Sequence, residues 1–395
     1  MPNKFKSLII FLIVYCFSTG ITYGALNLIK KGPISTAQTP LPSPQKKSAV
    51  FKIDPTLPRD AECPLNGAMY TQKEKAKWEK RRPLGIMIEN HEEARPQSGL
   101  LDADVVFEAI AEGGITRFLS IYYCLDSETV GPVRSARTYF LDLISGFGNY
   151  PLYAHVGGAN CDEETGSGCQ NGAPADAIGQ IRLYGWEIYN DINQFSVGFP
   201  TFWRDYEKIP GAATEHTVYA TTDKLWKVAE KRGLTNVDEK DISWDEKFEK
   251  WSFKDDAKDL PESFAVSFPF WANKDKYIVK WEYDKKTNSY KRFNGGVPHI
   301  DKNSDEQIAV KNVVVAFMKE SKADDGYDMN AHLLYGTKGV GQMTLYQDGK
   351  AIDGEWRKAT RTKQIKFFDE KGSEIKFNRG PIWVEILPAG TKVSI

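Results

Sequence analysis

Apolar positions in this chain fall into short groups whose spacing changes along its length. Between residues 67 and 235, continuous apolar runs of strand length alternate with stretches of helical period. Residues 84–88 (LGIMI), 118–123 (FLSIYY) and 153–156 (YAHV) predict buried strands. Residues 71–81 predict a charged helix whose only clear packing positions are Ala76 and Trp78. Residues 135–144 predict a helix with Tyr139, Phe140, Leu143 and Ile144 on one face, and 175–182 and 222–232 predict two more. Residues 103–112 fit either a helix or a buried strand. Such alternation predicts an α/β layered domain.

From 244 to 395 the texture is different. Segments at 264–270, 277–283, 289–293, 313–318, 341–347, 350–356, 364–368 and 383–387 are rich in Val, Ile, Tyr, Phe and Trp. Gly, Asn and Asp separate them, and the tracts 283–288 and 347–350 read as hairpin turns. They predict a mainly antiparallel β domain. The fold class is therefore α+β: an N-terminal α/β layered domain followed by a mainly antiparallel β domain.

The first 66 residues belong to neither domain. Lys4 and Lys6 precede a mostly apolar run over 8–29, about the length needed to cross a bilayer. Positive charge ahead of it places the N-terminus in the cytoplasm and the remainder outside. Residues 1–29 fit a retained membrane anchor, a signal segment cleaved after Gly24, or a lipoprotein signal with Cys16 lipidated; Tyr15 stands where a lipobox needs a small residue. All three place the folded part outside the cytoplasm, at the cell membrane. Residues 30–66 form a stalk and lead-in, with Pro, Ser and Thr concentrated in 32–47.

Cysteine usage fits an oxidising compartment. Cys63, Cys124, Cys161 and Cys169 are an even set, which predicts two disulfides. Cys161 and Cys169 bracket a short polar loop, which leaves Cys63 and Cys124 for each other. Cysteine ligation of a metal lacks a Cys-x-x-Cys pair or a nearby His. A net charge of −1 supplies no basic field for nucleic acid. Aromatic residues make up 12% of the chain, enough either to fill β-domain cores or to offer ring faces to a glycan or peptide.

Two motifs mix glycine with arginine: GGITRF (113–118) and GPVRSAR (131–137). With Arg95 they supply Arg117, Arg134 and Arg137, three of the four beside a Gly or Pro turn at an expected element end. Arg134 and Arg137 would open a helix after Pro132, where a helix N-terminus and two guanidinium groups make an anion site. The structural alternative pairs these arginines with Glu89, Glu108, Glu112 or Asp142. Glu89, His91, Glu112, His155 and His216 could converge into a general base or a metal site, but no H-E-x-x-H spacing supports one. Ser98 and Ser135 lack a neighbouring base, and no phosphate-binding glycine loop occurs. No metal and no cofactor is expected.

The stretch ARPQSGL, GGITRF, GPVRSAR with YFLDL, HVGG, then HTVYATTDKLWKVA and FNRGPIWVEILP, in this order, resembles the YerB-like family of bacterial envelope lipoproteins. The resemblance runs from about residue 83 to the end. It implies a bacterial, extracytoplasmic, membrane-attached protein with an α/β first domain and a β-rich second one, and it supplies no catalytic residues. The chain departs from it at Cys16 and in the insertion CDEETGSGC. Two functions fit. The first is binding of an anionic cell-wall polymer or envelope protein through an arginine-lined cleft (Arg95, Arg117, Arg134, Arg137). The alternative is a hydrolase or transferase acting on an envelope glycan or peptide, with acid–base chemistry at Glu112 and His155.

Overall fold

A computed structural model describes residues 57–159, 175–262, 264–323 and 332–395. The apolar run at 8–29, the stalk, Cys16 and the Cys161/Cys169 loop lie outside the described residues. Among the described residues no helix is long and apolar enough to cross a membrane.

Ten strands form one mixed sheet. In chain order they include β1 (Leu84–Glu89), β2 (Val105–Glu112), β3 (Ile115–Tyr122), β4 (Leu152–His155) and β5 (Asp191–Asn193). Three strands of a smaller antiparallel sheet follow: β6 (Ala265–Pro269), β7 (Ile278–Asp284) and β8 (Ser289–Asn294). The large sheet is completed by β9 (Asn312–Met318), β10 (Gly339–Gln347), β11 (Lys350–Lys358), β12 (Lys366–Asp369) and β13 (Ile382–Pro388). Its order is β12-β11-β10-β9-β13-β2-β3-β1-β4-β5. The apolar strands of the second half thus extend the sheet of the first, and the last strand, β13, joins them. It lies parallel to β9 on one side and to β2 on the other.

Strand character follows burial. β1, β2, β3 and β13 are buried along nearly their whole length, as continuous apolar runs require, whereas β11 near the edge alternates with exposed positions. Of residues 103–112, which fitted a helix or a strand, 105–112 are the central strand β2. The fold is α+β: α1 (Gln72–Trp78), α2 (Thr138–Ile144), α3 (Ala177–Leu183) and α4 (Thr222–Lys231) all precede residue 235, and strands dominate the rest. Thr71 caps α1 through a reciprocal pair with Glu74, and Thr221 caps α4 by accepting from the Lys224 amide at 3.0 Å.

One expectation fails locally. The segment 131–137 does not open a helix; α2 begins at Thr138 and has seven residues. The reason is tertiary hydrogen bonding. The amides of Val133, Arg134 and Ala136 donate to the carbonyls of Val218, Met87 and Gly157 at 2.7, 2.9 and 2.9 Å. The segment held this way is extended, and these three amides are not available to an anion.

Cys63 and Cys124 form a disulfide with a Cα–Cα distance of 6.0 Å, tying the lead-in to the end of β3. Beneath it Asp104 accepts from the amides of Tyr123 and Cys124 and from Asn66 Nδ2 at 2.7, 2.9 and 2.9 Å.

Candidate functional site

The two central hairpin strands sort charged residues onto opposite faces. The β2–β3 turn is Gly113–Gly114, with φ of 55° and 80°, values that glycine adopts without strain. Just before it, a bulge between Ile110 and Glu112 shifts the register, so that Ile110 pairs with Thr116 but Glu112 pairs with Ile115. The extra residue turns Glu112 onto the face that carries Arg117, and Glu89, directly opposite Arg117 on β1, shares that face. Glu108, Thr116 and the β13 residue Glu385 fall on the other face.

On the first face Glu112 bridges two arginines. Its Oε1 lies 3.2 Å from Arg117 Nη2, and its Oε2 pairs with Arg137 Nη2 and stands 3.5 Å from His332 Nε2. The Arg117 side chain is 1% exposed and that of Arg137 is 8%. Arg117 Nη1 also donates to the Ser135 carbonyl at 3.0 Å. Burial opposes ionisation of Glu112, but Arg117, His332 and Arg137 outweigh it and hold the carboxyl well below the usual range. Burial and the neighbouring Arg117 lower Arg137.

Glu89 is the second buried carboxylate. Arg134 Nε lies 3.0 Å from its Oε2, and His216 Nδ1 lies 2.7 Å from the same oxygen. Burial resists its charge, yet His216 and the arginines keep its pKa low; the same hydrogen bond raises that of His216. His91 stacks on His216 with ring centroids 4.7 Å apart. Of the five residues whose convergence was considered, Glu89, His91 and His216 meet. Glu112 stands in its own cluster. His155 is fully buried, with Nε2 2.6 Å from Asp191 and Nδ1 2.6 Å from the Gly157 carbonyl.

Arg95 lies elsewhere, with Nε 3.0 Å from Asn90 Oδ1 and Nη1 2.7 Å from the Lys276 carbonyl. It borders a buried network that locks the two halves together on the opposite face of the sheet. Arg292 pairs with Glu108, and its Nη1 lies 2.6 Å from His299. His299 in turn meets Gln97 at 2.7 Å, and Trp281 donates to Glu385 at 2.8 Å. Burial and the adjacent Glu108 carboxylate push Glu385 well above the usual range. Burial and Arg292 push His299 down. These groups are fully enclosed and serve cohesion.

Beside Glu89 and Arg134 a groove of about 510 Å³ opens to solvent, lined by Arg134, Ser135, Gly157, Asn193, Phe195, Arg204 and Glu215. Phe195 at its edge is 75% exposed. Arg204 is exposed; its Nη1 donates to the Thr214 carbonyl and to Thr217 Oγ1, and it forms no ion pair among the described residues. Arg204 and Asn193 escaped the sequence reading because neither lies in a motif. Glu93 was within reach, since it follows His91 in the same polar loop. A larger hollow, about 850 Å³, lies against β10–β12, but none of the glycine–arginine motif residues line it.

The chain has two parts that share one sheet through its last strand, and both match a family of proteins of unknown function. Its profiles match here twice, as the N-terminal domain of the DUF3048 proteins of unknown function over residues 69–235 and as their C-terminal domain over 266–384. The chain belongs to this family. YerB of Bacillus subtilis (strain 168), provisionally termed a lipoprotein, is 32% identical over 353 residues, covering 88% of this chain and 91% of YerB. The crystal structure of the YerB protein from Bacillus subtilis is similar with a TM-score of 0.66 and 28% identity, covering 85% of this chain and 100% of that one.

Proposed function

We propose that this is a membrane-attached, extracytoplasmic envelope protein that binds an anionic cell-wall polymer or envelope protein in the groove between Arg134 and Arg204. The kinship with a protein termed a lipoprotein, the apolar run behind Lys4 and Lys6, and the Cys63–Cys124 bridge support that location. The observation that carries the binding role is Arg204. It is exposed at the groove mouth and held only by neutral oxygens, so its charge is available to a ligand. Arg117, Arg134 and Arg137 contribute differently from Arg204. Each already faces a carboxylate, and of the three only Arg134 lines the groove. Asn193 and the Phe195 ring offer a hydrogen-bonding group and an apolar face alongside.

The test is equilibrium binding of a purified anionic cell-wall polymer to the full chain, by calorimetry at low and high salt. Arg204→Ala should weaken binding about tenfold or more, with a melting temperature within a degree of the parent. Unchanged affinity would overturn the assignment. Acid–base hydrolysis or transfer is favoured by one observation, the Glu89–His216 pair at 2.7 Å beside the same groove. Release of soluble fragments from the polymer during the same experiment would decide for it.

A further inference from the structure

We infer that His91, Glu93 and His216 form a binding site for a divalent first-row transition ion of the zinc class at the rim of the groove. A ligand atom from each of the three lies within 4.8 Å of the other two. They come from two short turns: His91 precedes and Glu93 lies within Glu92–Ala94, and His216 ends Thr214–His216. Two imidazole nitrogens and one carboxylate oxygen are a donor set that suits zinc.

The orientation of His216 is the stronger argument. Its Nδ1 is 2.7 Å from Glu89 Oε2. A carboxylate accepts, so Nδ1 donates, and in the neutral ring Nε2 is left with a lone pair. That nitrogen faces Glu93 Oε2 at 3.6 Å. The gap between these two atoms holds either the proton of an imidazolium or a metal ion bound by both, and metal binding displaces that proton. A carboxylate on the far nitrogen of a ligating histidine is the arrangement that fixes tautomer and ring direction in metal sites. Arg134 holds Glu89 in turn, so His216 is the fixed ligand.

The other two ligands can close on it. Bonds of about 2.0–2.1 Å at a tetrahedral angle put ligand atoms roughly 3.3 Å apart. The Glu93 side chain is 56% exposed and free to swing, whereas His91 is partly exposed, with its Nδ1 accepting from the Glu93 amide at 3.2 Å. His91 must turn out of its stack on His216, whose planes lie 9° from parallel, to aim a nitrogen at the ion. Three protein ligands leave a fourth position open. Glu215, next in sequence to His216, lines the groove, as does Arg134. The cluster therefore borders the ligand groove, and it uses none of the residues that test polymer binding.

The full chain, stripped with chelator, is titrated with Co²⁺ by visible absorption and with Zn²⁺ by calorimetry. One equivalent should bind, with the d–d bands of nitrogen and oxygen ligation and no thiolate charge-transfer band. Glu93→Gln should weaken binding at least tenfold without moving the melting temperature of the metal-free protein, His91→Ala should weaken it at least tenfold, and His216→Gln should abolish it. Absence of binding at millimolar Co²⁺, a thiolate band, or equal affinity in the Glu93→Gln and His91→Ala variants would overturn the site. Loss of polymer binding in Arg204→Ala with ion binding intact would leave it standing.

Discussion

Replacing Glu112 by glutamine keeps the shape of the side chain and removes the charge that Arg117 and Arg137 share. Their side chains are 1% and 8% exposed, and among the described residues each makes its ion pair with Glu112. Breaking a buried pair from one side costs about 3–5 kcal/mol, because the remaining charge stays out of water uncompensated. The folded unit spans residues 57–395. At about 2.1 cal/mol/K per residue its unfolding entropy is roughly 0.7 kcal/mol/K, so Glu112→Gln should lower the melting temperature by about 4–7 °C. Arg137→Ala should do less, because Arg117 and His332 still neutralise Glu112. The difference should also depend on pH. The folded pKa of Glu112 is depressed, so its contribution is present above the unfolded value of about 4.3 and is lost as pH falls toward the folded one. The melting temperatures of parent and Glu112→Gln should therefore draw together as pH falls below about 4. A variant that melts within one degree of the parent at pH 7, or an Arg137→Ala that is the worse of the two, would refute the shared-carboxylate account.

Reduction of the Cys63–Cys124 bridge frees a loop of 61 residues' separation, for which chain entropy predicts a loss of about 4 kcal/mol; a melting temperature insensitive to dithiothreitol would count against it. Burial raises Asp102 to about 6, so its ionisation destabilises the fold as pH climbs from about 4 through 6. Asp102→Asn should consequently gain roughly 1–3 kcal/mol at pH 8 and nothing at pH 4, and urea titrations at the two pH values will show whether the gain has that sign.

Local pattern was enough for most elements. Apolar runs such as 84–88 and 383–387 are buried strands wherever they pair, so their type needs no partner to be read. The Thr71/Glu74 box and Thr221 likewise mark helix starts through bonds that span three residues. The arginines of GGITRF and GPVRSAR stood out as a group because glycine turns sit beside them, and Arg117, Arg134 and Arg137 do lie along one face of the sheet.

What no local pattern contains is pairing at a distance. Residues 103–112 read as helix or strand until β13, nearly three hundred residues later, lies beside them. The segment 131–137 reads as a helix start until its amides meet Met87, Gly157 and Val218. His216 and Glu89 are 127 positions apart, and Arg204 has no neighbour in sequence that marks it. The sequence by itself determined the kind of most elements and which residues are chemically capable. Tertiary structure alone decided which carboxylate each arginine meets, that a one-residue bulge turns Glu112 toward Arg117, and that the groove's available cation is Arg204. Backbone propensity and side-chain period act over a few residues, whereas ion pairs and sheet register are fixed by contacts that exist only once distant segments have packed.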